Sequence, residues 1–150
     1  MEQTVAILIA AHVLGDFLLQ PEWLVKRKKQ LCFMLLHGVI HAGLVYVLYQ
    51  AWTCWELPLI VLALHVTIDL VKQQGGSDSA KAFAWDQAAH ILGLIGAGWL
   101  LLRMGWLSTF SGLGYAWVIG FAGFIATVQG AGYFVGKVAG RIKEKNDLEI

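Results

Sequence analysis

Two short stretches, His65-Val-Thr-Ile-Asp69 and Asp86-Gln-Ala-Ala-His90, each set an imidazole and a carboxylate four residues apart. The same spacing recurs in His12…Asp16 and His37…His41. On a helix, positions i and i+4 share a face, so each pair aims two donors in one direction. Imidazole nitrogen and carboxylate oxygen suit Zn, Mn or Fe rather than a soft thiolate site. Eight candidates (His12, Asp16, His37, His41, His65, Asp69, Asp86, His90) exceed the needs of one tetrahedral ion. They suit two ions ~3.5–4 Å apart with positions left for water. Haem ligation by histidine pairs fits less well, because carboxylates accompany the imidazoles.

The elements that must carry these residues are apolar. The 150-residue chain is 58% hydrophobic and 14% charged, with mean hydropathy +0.65. A soluble domain holds about 25% charged residues, so the composition predicts an all-α, polytopic membrane protein. Five transmembrane helices are expected at about 3–19, 31–50, 57–73, 82–102 and 114–136, followed by a polar tail over 137–150. The first span lacks a basic leader and a small-residue cleavage site, and reads as a retained helix; it should end at Gln20-Pro21. Residues 22–30, with Trp23 and Lys26 to Lys29, read as an interfacial segment against anionic lipid. Cys32 and Cys54 fall in opposite halves of the membrane, so no disulfide is expected.

With five spans, one side of the membrane holds ten of the eleven Lys and Arg residues and the other holds Arg103 alone. The positive-inside rule then places the N-terminus outside and the C-terminus in the cytoplasm. Trp52, Trp55, Trp99, Trp106 and Trp117 gather near the outer boundary, and Trp23 and Trp85 near the inner one. The localisation expected is a bacterial cytoplasmic (inner) membrane. The net charge of +1 gives no reason to expect nucleic acid.

In this topology all eight candidate ligands share one layer, roughly 6–15 Å below the cytoplasmic boundary at 1.5 Å per residue. Charged groups in a span cost about 2.5–3.5 kcal/mol each. Lys72 is the one cation the spacing brings near, which leaves the carboxylates in need of metal. Asp16, Asp69 and Asp86 are also candidates for a general base. Gln20, Gln73 and Gln87 read either as hydrogen-bond supports for the ligands or as ordinary interfacial amides. Lys26, Arg27 and Lys72 are candidates to hold a phosphate or anionic lipid; for Lys72 the plain alternative is snorkelling, and for the basic run a topology signal. Gly120, Gly123, Gly130, Gly132 and Gly136 make the fifth span a surface for close helix approach, within the chain or to a second copy.

At these residues the chain resembles a bacterial family of small integral-membrane proteins known as domain of unknown function 3307. The resemblance rests on His12-Val-Leu-Gly-Asp16-Phe-Leu-Leu-Gln20-Pro21, a following basic residue, and His37. It continues with His65, Asp69, Lys72, Phe83, Asp86-Gln87 and His90, and covers about residues 8–95. The spacing is also similar to that of SOS-regulated, membrane-bound metal-dependent hydrolases, which implies a metal-dependent hydrolase. The function expected is hydrolysis of a lipid or lipid-linked phosphoester at the cytoplasmic leaflet by metal-activated water. Two alternatives stand beside it: a proton or metal-ion transporter, since intramembrane Asp and His also mark ion pathways, and a non-catalytic module clamped by metal. The outer halves of the first four spans are nearly all apolar, which weighs against a through-path.

Overall fold

The computed structural model describes residues 1–147, and among them every regular element is helical. The last three residues of the expected tail lie outside the described residues. Helix α1 (Glu2–Val13) opens into a single π-helical turn, Leu14–Leu18, a widening that recurs at functional sites. Pro21, extended at φ −67° and ψ 156°, breaks the path and starts the short α2 (Glu22–Arg27), as its fixed φ and missing N–H favour. Helix α3 (Leu31–Tyr49) stops at Gln50, which is left-handed at φ 60°. The Gln50 side chain pins the distant loop over residues 104–114, accepting from Leu113 N at 3.3 Å and donating to Leu113 O at 3.4 Å.

Helix α4 (Glu56–Gly75) ends on left-handed Gly76, the common helix stop. Helix α5 (Ala80–Arg103) begins at Ser79, whose hydroxyl accepts from Ala82 N at 3.1 Å and satisfies one free N–H of the first turn. Helix α6 (Tyr115–Ile125), a second π turn (Ala126–Gly130) and α7 (Ala131–Asp147) run on as one helical path. The apolar stretch expected at 114–136 therefore does not end where its helix ends. Lys, Arg and Glu are good helix formers, so the polar residues after Gly136 continue the helix, and Lys137 ties it to the Asp78 carboxylate on the α4–α5 loop.

Among the described residues, two helical stretches, Leu31–Tyr49 and Tyr115–Ile142, are long and apolar enough to cross a membrane. Helices α4 and α5 have the length, at 20 and 24 residues, but their His, Asp, Lys and Gln residues dilute the hydropathy. Helix α1 is short because the π turn interrupts it.

Helix α1 is the shared wall, packing against α3, α5 and α6, while α3 packs on α4 and α4 on α5. Ile7, Leu8 and Ala11 meet Val45, Tyr49, Leu57, Val61, Leu94 and Leu101 in the main core. Ala10 and Leu14 meet Ala122 and Ile125 of α6 in a second one. The polarity is inverted relative to a soluble domain: five histidines and two aspartates are buried, whereas Leu92 is 67% and Trp117 86% exposed. Cys32 is exposed and Cys54 buried, and both are free.

At the end of the bundle away from the π turn of α1, a buried polar chain fastens the 104–114 loop. Thr4 Oγ1 and Tyr49 Oη lie 2.9 Å apart, Tyr49 Oη donates to Ser108 O at 2.7 Å, and Phe110 N donates to Thr4 Oγ1 at 3.1 Å. Removing one partner of a buried hydrogen bond costs about 1–3 kcal/mol. Tyr49→Phe is therefore expected to lower stability by about that amount in detergent and to speed amide exchange at 108–110. Unchanged exchange in that loop would refute the tie.

Candidate metal centre

Asp16 is the hub of the site. The π turn that carries it turns its carboxylate toward α3 and α4, where Oδ1 lies 3.2 Å from His37 Nε2, 3.2 Å from His41 Nε2 and 3.8 Å from His65 Nε2. Donors on an ion with ~2.0–2.1 Å bonds and tetrahedral angles sit about 3.3–3.5 Å apart, close to these separations. Asp16, His37, His41 and His65 form one grouping able to hold an ion, and His65, Asp69 and His90 form a second, with donor atoms within 4.8 Å of one another in each. In the second, His65 Nε2 and Asp69 Oδ2 are 3.5 Å apart. All five histidines are at most 2% exposed, and their rings crowd together, those of His41 and His65 stacking at 3.6 Å.

The donor chemistry fits metal. His41, His65 and His90 each have a buried Nε2 without a hydrogen-bond partner, which is costly for a polar atom away from water. His90 Nδ1–H donates to Asp86 O at 2.9 Å, leaving the Nε2 lone pair free for the second grouping. Ligating histidines are usually held in this way.

His12 and Asp86 stand beside the two groupings rather than in them. His12 Nε2–H donates to Gln87 Oε1 at 3.2 Å, and Gln87 Nε2 donates to Asp16 Oδ2 at 2.9 Å. Because Gln87 Oε1 can only accept, His12 Nε2 carries the proton in this chain. Asp86 Oδ2 accepts from Lys72 Nζ at 2.6 Å. Gln87 is thus a direct support of Asp16. In the amide orientation that satisfies both its ends, Gln20 donates to Asp16 O and accepts from Lys28 Nζ, each at 3.2 Å. Gln73 is not against a ligand; it donates to Lys28 O at 2.9 Å.

Lys28 is the residue that spacing alone does not single out. Its Nζ lies 2.7 Å from Asp69 Oδ2, with the lysine side chain only 16% exposed. Two ammoniums, not one, therefore meet the aspartates, and Asp16 is left with imidazole and amide partners. The other cations proposed for a phosphate stay apart: Lys26 pairs with Glu22 at 3.0 Å on the surface, and Arg27 lies over the Phe33 ring at 5.6 Å. Of the fifth-span glycines, Gly130 meets the Phe17 ring, where a Cβ would come within 3.3 Å, while Gly120, Gly123, Gly132 and Gly136 face open space.

Residues 4–113 match the family described as a protein of unknown function, DUF3307. The chain belongs to the DUF3307 family. No curated protein and no solved structure matches it, and the likeness to SOS-regulated hydrolases finds no support in these comparisons. The DUF3307 match spans α1 to the loop before α6, so it contains all eight candidate ligands, both lysines and Gly15.

Gly15 shows how closely this DUF3307 site is fitted. A Cβ at Gly15 would fall 2.3 Å from His41 Cε1, whereas one at Gly43 on α3 would meet nothing within 4 Å. Overpacking a filled interior costs about 1–3 kcal/mol, and alanine is favoured over glycine in an open helical position. Gly15→Ala is expected to destabilise the protein by at least about 2 kcal/mol through displacement of His41, and Gly43→Ala to be neutral or stabilising. Thermal unfolding of the two variants in one detergent checks the contrast; equal midpoints would refute the fit.

Proposed function

We propose that this protein is a five-span membrane protein of the bacterial cytoplasmic membrane, N-terminus outside and C-terminus inside, that hydrolyses a lipid or lipid-linked phosphoester. The observation that carries the reading is the pair of adjoining ligand groupings, Asp16/His37/His41/His65 and His65/Asp69/His90, in which Nε2 of His41, His65 and His90 makes no hydrogen bond. Held there, divalent ions such as Zn, Mn or Fe would supply Lewis acidity and an activated water. Catalytic metal sites typically have three protein ligands and an open position. Two ions reach that count if one takes Asp16, His37 and His41 and the other takes His65, Asp69 and His90. The five-span arrangement is supported by the apolar exterior around a polar interior, and the orientation by the cation distribution.

The transport alternative is disfavoured by what lies beyond the histidines. Leu8, Val45, Val61, Leu64 and Leu94 complete the walls of their crevice, and four of these are at most 3% exposed, so an apolar plug separates the cluster from the far end of the bundle. A second reading, metal as a clamp between helices, is favoured by the near-complete burial of the imidazoles.

Metal content measured by mass spectrometry on detergent-purified protein decides among these. About two divalent ions per chain are expected, with one or both lost in Asp16→Asn and in His90→Ala. Metal-replete protein should then release phosphate from a phospholipid or prenyl phosphate, and His41→Ala should lower that rate at least about hundredfold, as loss of a metal ligand or its support does. Tightly bound metal with no turnover of any such substrate would favour the clamp. Absence of metal in protein never exposed to chelator would overturn the hydrolase reading.

A further inference from the structure

Lys28 and Lys72 both reach the buried cluster from the side where the π turn of α1, α2, the end of α4 and the start of α5 meet. Each places its ammonium on an aspartate, at 2.7 Å from Asp69 Oδ2 and 2.6 Å from Asp86 Oδ2. Lys28 is held at its backbone as well, since its carbonyl accepts from Gln73 on α4. Yet Asp69 is also a donor of the second metal grouping, so an ion there and the Lys28 ammonium compete for one carboxylate.

The charge balance makes that competition consequential. Three carboxylates, of Asp16, Asp69 and Asp86, against two ammoniums leave one net negative charge. Two divalent ions would turn this into three net positive charges in an interior where uncompensated charge is expensive. Resting on the metal-centre reading above, we propose that Lys28 and Lys72 are stand-in counter-ions: they neutralise Asp69 and Asp86 until metal binds, then swing to an incoming phosphate. The loaded site would favour a phosphate monoester dianion over a diester monoanion, because the dianion cancels more of the surplus charge. An ammonium on a flexible four-carbon stem suits such a transfer, being a point charge without a fixed fork geometry. The Lys72 side chain is 39% exposed, so this side of the cluster is open to a ligand.

The test uses full-length protein in detergent, Mn2+ titrated by electron paramagnetic resonance, and inorganic phosphate followed by 31P relaxation. Lys28→Met is expected to bind Mn2+ about tenfold more tightly, the factor that 1.4 kcal/mol represents, while phosphate binding to the Mn2+-loaded protein weakens at least about tenfold. Lys72→Met should weaken phosphate in the same way, Lys28→Arg should retain it, and Lys26→Met, on the exposed Glu22 pair, should change neither. A gain in metal affinity cannot come from damage to the fold, which protects the result from trivial misfolding. Competition by phosphatidic acid in phosphatidylcholine nanodiscs would assign the phosphate to a lipid; competition by a soluble phosphomonoester alone would assign it to a soluble substrate, and either outcome supports the exchange. Unchanged or weaker Mn2+ binding in folded Lys28→Met, or equal phosphate binding with and without metal, would overturn the exchange alone. Failure of wild-type protein to bind Mn2+ or Zn2+ would overturn the metal reading and the exchange together.

Discussion

An ionised carboxylate removed from water must be met by opposite charge or by several donors, because its desolvation costs more than any local packing can return. Asp16, Asp69 and Asp86 impose that requirement on one small volume, and the features around them answer it one by one. The π turn after Val13 sets the direction of Asp16 and places Gly15, which has no side chain to stand in the way of His41. Gln87 reaches from α5 to Asp16, and Lys28 comes back from the α2–α3 junction to Asp69. Lys72 leans across to Asp86. The short α2 with the Pro21 break has no large core of its own; its contribution is to bring Lys28 within reach.

That requirement also explains the inverted polarity of the bundle. The polar groups are gathered where α1, α3, α4 and α5 converge, so the apolar residues are left for the outside and for the far half of the core. The two halves are stabilised differently. Around Ile7, Leu8, Val61 and Leu101 the helices are held by close-packed aliphatic contacts. Around His37, His41 and His65 they are held by charge and hydrogen bonds, with the Nε2 atoms of His41, His65 and His90 among the imidazole nitrogens lacking a partner. An ion placed among those nitrogens would add stability to the half that has least apolar packing.

Much of this was legible in the sequence, and the rest was lost for identifiable reasons. The i, i+4 pairs contain all six residues of the two groupings able to hold an ion, with His12 and Asp86 beside them, because helical periodicity fixes which residues share a face. The all-helical architecture followed from composition, and helices α4 and α5 came within three residues of their expected bounds at each end. Periodicity is blind, however, to the rotation of each helix about its axis. It could not tell that His12 and Asp86 turn toward Gln87 and Lys72 rather than into the ligand groupings. Lys28 was hidden inside Lys26-Arg27-Lys28-Lys29, where four cations in a row carry the same topology signal. Only the turn after α2 decides which of them faces the cluster. The π turn leaves no mark in the apolar pattern, since one extra residue in a single turn shifts the period too little to see.

The position of His65 limits how any ions can be arranged. Its Nε2 is 3.8 Å from Asp16 Oδ1 and 3.5 Å from Asp69 Oδ2, and so belongs to both groupings, but one nitrogen lone pair can serve one ion. If His65 joins Asp16, His37 and His41, that ion has four protein ligands and no open position, which is the pattern of a structural site; the second grouping is then left with Asp69 and His90. If His65 turns to Asp69 and His90, each ion has three ligands and a place for water. The choice between clamp and catalyst thus reduces to the orientation of one imidazole, stacked on His41 and flanked by two carboxylates. Lys28 bears on that choice because its ammonium on Asp69 weakens the pull of that carboxylate on any ion beside it. A cation that departs from Asp69 would free His65 to complete the second site, and this couples the occupancy of the mouth to the coordination within.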